Sequence, residues 1–240
     1  IMDVYLVGGA IRDRLLGLKS QEKDWVVINA TPSDLTRLGY KQVGKSFPVF
    51  IHPKTGEEYA LARKEIKSGE GYYGFKIDSN PNVTLEEDLY RRDLTINAMA
   101  EDNTGQIIDP FNGQKDISSR VLRHVSNAFV EDPLRVLRVS RFKAKLHDLN
   151  FKIAPETKKL LEEIVESGEL KTLVPERIWQ ETYKALCEQR FDQFFQTLID
   201  LRALGQIFPE ITHMNSDFSE HHIVQTVIKK EVSLKSRLCA

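Results

Sequence analysis

The sequence is poor in cysteine and has no long apolar run, and each of these features limits the classes of protein to which the chain can belong. Its two cysteines are Cys187 and Cys239. Because they stand in unrelated contexts without metal-ligand spacing, we expect lone thiols and a reducing, cytoplasmic location. No apolar run approaches the roughly 20 residues of a membrane-spanning helix. The chain opens on a strand signal where a secretory leader would have a basic and then an apolar region. We therefore expect no membrane partner.

The chain also lacks a large net charge of either sign. Its formal charge is −1 at pH 7, which argues against a uniformly basic nucleic-acid-binding protein. A local basic cluster nevertheless lies between residues 120 and 145, opposed there by Glu131 and Asp132; its members are Arg120, Arg123, Arg135, Arg138, Arg141, Lys143 and Lys145. Such clustering is expected for phosphate contact, and a solvated helix face explains it equally well.

Within an ordinary globular composition, the most informative stretch is residues 4–28, VYLVGGAIRDRLLGLKSQEKDWVVI. An apolar run is followed by the turn Gly8-Gly9, an amphipathic segment and a second apolar run. The pattern predicts a strand, a glycine turn, a helix and a second strand. The N-terminus of a helix accepts phosphate through its backbone N–H groups and its dipole. Gly8 and Gly9 are therefore candidate phosphate ligands, and an ordinary turn is the alternative.

Two acids, Glu22 and Asp24, precede the second strand. Alternate residues of a strand lie on one face, so these carboxylates can converge. Paired carboxylates bind divalent metals, and an all-oxygen ligand set favours Mg²⁺; solvated surface acids are the alternative. Residues 48–63 predict two more strands around a turn at 53–56. Glu58, near the start of the second of these strands, could face the acidic pair or lie on the surface.

Two further segments complete the first half of the chain. Residues 64–76 carry three glycines among charged and aromatic residues, which predicts a mobile loop, either a lid over a site or a long hairpin loop. Residues 86–98 look helical and include Arg91-Arg92-Asp93. Short strands at 99–102 and 106–108 then complete an α/β portion.

From Gln114 onward the chain reads as successive helices. Spaced apolar residues with polar faces predict helices over 116–122, 132–147, 154–167, 175–188 and 191–204. We therefore expect an α+β protein, with an N-terminal α/β portion followed by a helical one.

The segment EDPLRVLRVSRF, residues 131–142, places Asp132, Arg135 and Arg138 on one arc of a helix, because residues three apart lie about 60° from each other. A carboxylate accepts from an exocyclic amine, and a guanidinium donates to a ring nitrogen. Cytosine and adenine offer that combination, whereas uracil and guanine oppose both partners. One Asp–Arg pair could thus accept C and A and reject U and G. An ion pair along the helix is the alternative.

Taken together, these segments closely resemble the class II tRNA nucleotidyltransferases, the bacterial CCA-adding enzymes of the tRNA nucleotidyltransferase/poly(A) polymerase family. The resemblance covers roughly residues 4–210 and rests on YLVGGAIRDRLLG, EKDWVV, EEYALARKEIKSGEGYYGF, RRDLTINAMA, IDPFNGQKDI, LRHV and EDPLRVLRVSRF, in the family's order. It implies a polymerase-beta-like nucleotidyltransferase head with a mixed sheet over residues 1–113. A neck with the nucleotide-template helix over 114–148 and an RNA-binding helical body over 149–211 would follow, then an atypical segment over 212–240.

The resemblance also implies roles for single residues. Glu22 and Asp24 match the magnesium-binding carboxylates, and Glu58 matches the third acid of the catalytic set. Asp132 and Arg135 match the protein template that reads C and A. The full set that matches nucleotide contacts is Gly8, Gly9, Arg12, Arg92, Asp132, Arg135, Arg138 and Arg141. The implied reaction is two-metal phosphoryl transfer from CTP and ATP to the 3′ end of tRNA, with release of pyrophosphate.

Some features qualify this resemblance. The loop at 64–76 matches the loop implicated in the switch from C to A addition. Glu22 stands where the family usually has Asp, so we expect metal binding with reduced turnover. The C-terminal segment departs from the family's longer helical body, and its His221-His222 pair has no metal-site pattern, so we expect a weaker grip on tRNA. An A-adding enzyme, a poly(A) polymerase, and an impaired RNA- or nucleotide-binding remnant stay open as alternatives, as do a monomer and a homodimer.

Overall fold

The chain folds into two compact units, seen in a computed structural model that describes residues 2–20, 23–43, 49–67, 75–78 and 80–209. The first, here the head unit, comprises the described residues up to 119 together with 123–129. The second, here the helical unit, comprises residues 120–122 and 130–209. No helix among the described residues combines the length and the apolar character needed to cross a membrane.

The head unit is built on a mixed sheet. Within the described part of the chain, its strands are β1 Asp3–Val7, β2 Asp24–Ile28, β3 Lys41–Val43, β4 Val49–Ile51, β5 Glu58–Leu61, β8 Ala100–Glu101 and β9 Ile107–Ile108. They lie in the order β3-β4-β5-β2-β1-β8-β9. β1 pairs antiparallel with β2, and β2 pairs parallel with β5. A separate antiparallel pair consists of β6 Lys64–Lys67 and β7 Phe75–Asp78.

Short helices accompany this sheet, and apolar clusters cover both of its faces. The helices are α1 Gly9–Leu15, α2 Pro32–Arg37, α3 Leu85–Tyr90 and α4 Gly113–Ser119. On one face Val26 packs with Val7 and with Leu89 of α3. On the other face Val27 packs with Phe50 and with Leu35 of α2. The alternation of side chains along β2 produces this division, because successive residues point to opposite faces.

The helical unit packs around one central helix. Its elements are the strands β10 Val121–Leu122 and β11 Lys152–Ile153 and the helices α5 Arg135–Lys145, α6 Pro155–Ser167, α7 Pro175–Leu186, α8 Asp192–Asp200 and α9 Leu204–Ile207. β10 and β11 pair in parallel. Helix α5 packs against α6, α7 and α8, and it buries Val136, Leu137 and Val139 completely. Packing on three sides explains why so few of its side chains reach solvent.

The predicted α+β class is confirmed, and several local predictions need correction. The helix expected over 116–122 ends at Ser119, because Arg120 adopts a left-handed φ of 58° that a right-handed helix cannot contain. The helix expected from residue 132 begins at Arg135. Residues 64–67 and 75–78 form an antiparallel strand pair, which agrees with the hairpin alternative for 64–76 and places strand at both ends of the expected loop.

The expectation of two lone thiols is also wrong. Cys187 is disulfide-bonded, whereas the sequence interpretation treated it as a free thiol. Cys239, the other cysteine of the sequence, lies outside the described residues. The glycines of the loop over 64–76 and the pair His221-His222 lie outside them as well.

Candidate functional site

Two acidic side chains lie side by side where neighbouring strands of the head unit begin. Asp24 is the register partner of Glu58 in the parallel pairing of β2 with β5. Register partners project to the same face of a sheet, so both carboxylates lie on the face that carries Val26. Both residues are exposed. The structure therefore brings together two of the three predicted acids, Asp24 and Glu58, at exposed positions.

The neighbouring acid Glu57 has a different role. Its carboxylate accepts a hydrogen bond of 3.0 Å from Trp25 Nε1 and lies 3.6 Å from Lys23 Nζ. Strand alternation places it on the face opposite Glu58, where Trp25 stacks on Tyr59 with ring centroids 5.6 Å apart. Glu57 thus anchors the aromatic face, and Glu58 is the acid that accompanies Asp24.

The chemistry of this donor set fits a hard divalent cation. Carboxylate oxygens are the ligands that Mg²⁺ prefers. Among the described residues, no group of three or more His, Cys, Asp or Glu side chains is arranged to hold a metal. Asp24 and Glu58 alone do not form such a group, and Glu22, the other acid of the predicted set, lies outside the described residues.

The predicted glycine turn lies against two guanidinium groups. Gly8 adopts φ 73° and ψ −127° at the start of α1, a conformation that glycine reaches far more readily than other residues. A Cβ atom at Gly8 would lie 3.1 Å from Nη1 of Arg92, and one at Gly9 would lie 3.3 Å from Nη2 of Arg12. The structure thus brings together the four head-unit residues predicted to contact nucleotide. Two cations beside an open backbone turn suit an anionic group.

Buried acceptors hold each of these arginines in place. Arg12 is only 4% exposed, and it donates from Nη1 to Oδ1 of Asn97 and from Nε to Oδ1 of Asp13. Arg92 donates from Nη2 to Oδ2 of Asp88 over 3.1 Å. A guanidinium fixed by a buried partner loses little side-chain freedom when an anion binds, which favours binding.

Asp88 is the fully buried centre of this arrangement. Besides Arg92, its carboxylate accepts from Nη2 of Arg91 over 2.9 Å and from the backbone N–H of Arg63 over 3.2 Å. Burial alone would raise the pKa of Asp88, but the charges and hydrogen bonds of Arg91 and Arg92 outweigh it and hold that pKa below its ordinary value. The carboxylate is therefore ionised at neutral pH and balances both arginines.

In the helical unit, Asp132 precedes α5 and is held by α7. Its Oδ1 accepts from the backbone N–H of Leu134 over 3.1 Å. Arg177 of α7 binds both carboxylate oxygens, from Nη1 to Oδ1 over 3.2 Å and from Nη2 to Oδ2 over 3.0 Å. Arg135, with which an ion pair along the helix was the alternative, is 7% exposed and follows one turn later. The strongest constraint on Asp132 thus comes from a helix that the sequence reasoning did not connect to it.

The two arginines that follow on α5 share one acceptor on α7. Glu181 is 5% exposed, and its carboxylate accepts from Arg138 over 3.3 Å and from Arg141 over 2.6 Å. The guanidinium of Arg141 also lies 4.3 Å from the ring centroid of Phe142, a cation–π distance. Arg177 and Glu181 stand four residues apart on α7, so one face of that helix holds Asp132, Arg138 and Arg141.

The basic cluster over 120–145 is mostly engaged within the protein. Arg123 pairs with Asp116 over 3.2 Å, and Arg138 and Arg141 pair with Glu181. Lys143 donates from Nζ to the carbonyl of Phe151 over 2.7 Å, and burial, followed by Lys152 and Arg190, lowers its pKa. These four side chains thus have partners within the protein, and the expected phosphate contact stays a prediction.

Comparison with known proteins identifies the family of the chain. Residues 4–123 match the family described as Poly A polymerase head domain, and residues 150–214 match the one described as Probable RNA and SrmB-binding site of polymerase A. The chain belongs to the tRNA nucleotidyltransferase/poly(A) polymerase family. The predicted mixed-sheet nucleotidyltransferase head is thereby confirmed.

Relatives within this family cover the described units and continue beyond them. The chain is 60% identical over 210 residues to the Multifunctional CCA protein of Mannheimia succiniciproducens, an overlap that covers 88% of this chain and 50% of the relative. It is similar in structure to the Bacillus stearothermophilus CCA-adding enzyme in complex with CTP, with a TM-score of 0.71, 31% identity, and coverage of 86% of this chain and 50% of that one.

A further match is the Thermotoga maritima CCA-adding enzyme complexed with tRNA, with a TM-score of 0.68, 30% identity, and coverage of 87% of this chain and 49% of that chain. The chain spans about half the length of these relatives.

Sequence reasoning missed the partners that hold the candidate nucleotide-binding side chains of this family member. Asp88, Asn97 and Glu181 accept from the candidate arginines, and Arg177 donates to Asp132. For Arg177 and Glu181 a signal was present, since PERIWQE places them four residues apart on a predicted helix. Their complementary charges match Asp132 and the later arginines of α5. Only the packing of α7 on α5 turns that complementarity into contacts.

Proposed function

We propose that this protein adds C, C and A to the 3′ end of tRNA from CTP and ATP without a nucleic-acid template, releasing pyrophosphate. The observation that carries the proposal is the register pairing of Asp24 with Glu58 in a head unit of this family. Exposed, adjacent carboxylates at the start of parallel strands suit a metal-dependent attack on a phosphate. The two relatives named CCA-adding enzyme, with CTP or with tRNA, support the choice of substrates.

In this proposal the head unit binds the triphosphate and the metal. Gly8 and Gly9 offer backbone N–H groups, while Arg12 and Arg92 neutralise the phosphate oxygens. The family is metal-dependent, and we propose Mg²⁺ as the ion. Glu22, Asp24 and Glu58 would hold it. When bound, Mg²⁺ polarises the phosphate and lowers the pKa of the attacking 3′-hydroxyl.

The helical unit selects the base. Asp132 accepts from the exocyclic amine of cytosine or adenine, and Arg135 donates to the unprotonated ring nitrogen beside it. Uracil and guanine present a carbonyl and an N–H at these positions, so both contacts become repulsive. Arg138 and Arg141 contribute further nucleotide contacts, and Glu181 balances their charge.

We propose that these roles correspond to four segments of the sequence. Residues 1–113 would be the catalytic head, 114–148 the neck with the template helix, 149–211 an RNA-binding body, and 212–240 an atypical C-terminal segment. The match of residues 150–214 to a probable RNA-binding segment supports the body assignment. Because its substrate would be tRNA, we place the enzyme in the cytoplasm.

The experiment that tests this proposal is nucleotide incorporation in the presence of Mg²⁺. Three tRNA transcripts would be used, ending before the CCA sequence, after its first C and after its second C, with each NTP offered separately. We expect CMP addition on the first two transcripts and AMP addition on the third alone. Addition of AMP alone, only to the CC-ending transcript, would indicate an A-adding enzyme, and long A tracts a poly(A) polymerase. ATP binding without any addition would indicate an impaired remnant.

A further inference from the structure

The parallel pairing of β2 with β5 begins at the two exposed acids of the head unit. Asp24 and Glu58 are its first register pair, and Trp25 and Tyr59 are the second. The first pair of a ladder has a neighbouring pair on one side only, so it opens more readily than pairs inside the strands. Parallel pairing is also slightly less stable per residue than antiparallel pairing. The separation of the two carboxylates therefore depends on what else joins these strands at their start.

A side-chain hydrogen bond crosses between the strands at this point, on the face opposite the acids. Trp25 donates from Nε1 to Oε2 of Glu57 over 3.0 Å. Trp25 directly follows Asp24 in the sequence, and Glu57 directly precedes Glu58. The indole also stacks on Tyr59, with ring centroids 5.6 Å apart and ring planes 13° from parallel. One hydrogen bond and one ring stack thus join the chain neighbours of the two acids.

We propose that Trp25 and Glu57 are positioning residues for the metal site, which hold Asp24 and Glu58 at a separation that one divalent cation can bridge. The inference rests on the proposed function, in which these carboxylates bind Mg²⁺. Strand alternation places Trp25 and Glu57 on the other face of the sheet, so they act through the strands and do not contact the ion.

The physical basis is the strict geometry of the ion. Mg²⁺ demands a near-ideal octahedron of oxygen ligands at about 2.0–2.1 Å, whereas Ca²⁺ accepts longer distances and a flexible geometry. When the strand starts are free to separate, the two carboxylates vary in spacing, and Mg²⁺ tolerates that variation less than Ca²⁺ does. Loss of the hydrogen bond should therefore weaken the binding of Mg²⁺ more than the binding of Ca²⁺.

Three variants separate orientation from charge. Trp25→Phe keeps an aromatic ring beside Tyr59 and removes the indole N–H. Glu57→Ala removes the acceptor, whereas Glu57→Gln keeps an acceptor oxygen and removes only the charge. The ion pair of Glu57 with Lys23 spans 3.6 Å and involves a lysine side chain that is 58% exposed, so its loss in Glu57→Gln should have little effect.

The test measures the Kd of Mn²⁺, an ion that shares the octahedral oxygen coordination of Mg²⁺, by electron paramagnetic resonance without nucleotide or tRNA. Displacement of Mn²⁺ gives the Kd of Mg²⁺ and of Ca²⁺, and Asp24→Asn identifies the binding that belongs to the acids. We expect the Kd of Mn²⁺ and Mg²⁺ to rise about tenfold in Trp25→Phe and in Glu57→Ala, a factor found for partners that orient metal ligands. Glu57→Gln should stay near the wild type, and the Kd of Ca²⁺ should change less in every variant.

Tyr40→Phe is the matched control. Tyr40 belongs to the same aromatic group, with its ring centroid 5.1 Å from that of Tyr59, and its hydroxyl hydrogen-bonds to Tyr59. Because Tyr40 precedes β3, this bond does not join β2 to β5, and we expect Tyr40→Phe to leave the Kd of Mn²⁺ unchanged.

Two results would overturn the inference. One is an unchanged Kd of Mn²⁺ in folded Trp25→Phe, or in Glu57→Ala where the Phe variant does not fold. The other is an equal rise of that Kd in Tyr40→Phe, which would indicate a general loss of packing. A wild-type protein that binds Mn²⁺ through Asp24 but adds no nucleotide to tRNA would instead overturn the proposed function.

Discussion

Replacing Gly8 by alanine tests whether the glycine turn binds nucleotide, because two separate effects can be worked out from its geometry. The first is backbone strain. At φ 73° and ψ −127° an L-residue other than glycine costs about 1–3 kcal/mol. For a chain of this length, each kcal/mol lowers the melting temperature by roughly 2–4 °C, so we expect a decrease of about 2–12 °C.

The second effect falls on Arg92. The new Cβ would lie 3.1 Å from its Nη1, closer than most real contacts, so the guanidinium must shift by a few tenths of an ångström. If Arg92 donates to a phosphate of the nucleotide, losing that charge-assisted hydrogen bond costs about 1.5–3 kcal/mol. We therefore expect the Kd for CTP and for ATP to rise by roughly tenfold to a hundredfold.

Gly17→Ala supplies the control for strain alone. Gly17 also has a left-handed φ, of 69°, but no atom lies within 4 Å of the position its Cβ would take. Calorimetric titration with CTP and thermal denaturation of both variants separate the two effects. Both variants should melt below the wild type, and only Gly8→Ala should bind CTP more weakly. Equal nucleotide affinity in the two variants would refute the placement of Arg92 against a bound phosphate.

Three further predictions concern the acids of the head unit. Asp24→Asn or Glu58→Gln should reduce the rate of nucleotide incorporation by about a thousandfold or more, because each removes a carboxylate from the proposed metal set. The melting temperature should stay nearly unchanged, because both residues are exposed. A near wild-type rate would remove the altered residue from the metal set. Asp88→Asn should lower the free energy of unfolding by about 3–5 kcal/mol in urea denaturation, because it leaves Arg91 and Arg92 without their buried counter-charge; a loss below about 1 kcal/mol would contradict that role. Folding lowers the pKa of Asp88. Its contribution to the free energy of unfolding is therefore complete at neutral pH and disappears as the pH falls below about 4. The urea midpoints at pH 7 and pH 3 should accordingly differ more in the wild type than in Asp88→Asn.

The positions of the acidic side chains could be predicted from the sequence, because they follow the two-residue period of a strand. Asp24 enters β2 two residues before Val26, and Glu58 opens β5, so alternation fixed the face on which each carboxylate lies. The glycine turn before α1 followed from the change of periodicity between β1 and the helix. These are local properties, set within a few residues of one another.

The ion-pair partners that orient Asp132 and the arginines of α5 could not be predicted in the same way. Arg177 reaches Asp132 across 45 residues of sequence, and Glu181 reaches Arg141 across 40. Hydrophobic periodicity identifies a helix and its apolar face, but it does not say which two helices pack or in which register. The early end of α4 escaped prediction for a different reason, since Arg120 takes a left-handed conformation that its residue type disfavours.

The most direct test of the account is to supply all four NTPs together with Mg²⁺ to a tRNA transcript that lacks its last three nucleotides, and to sequence the 3′ ends of the products. The account predicts ends that read C, then C, then A, with no extension beyond that point. Frequent UMP or GMP would contradict base selection by Asp132 and Arg135, and a long A tract would contradict the addition of C, C and A.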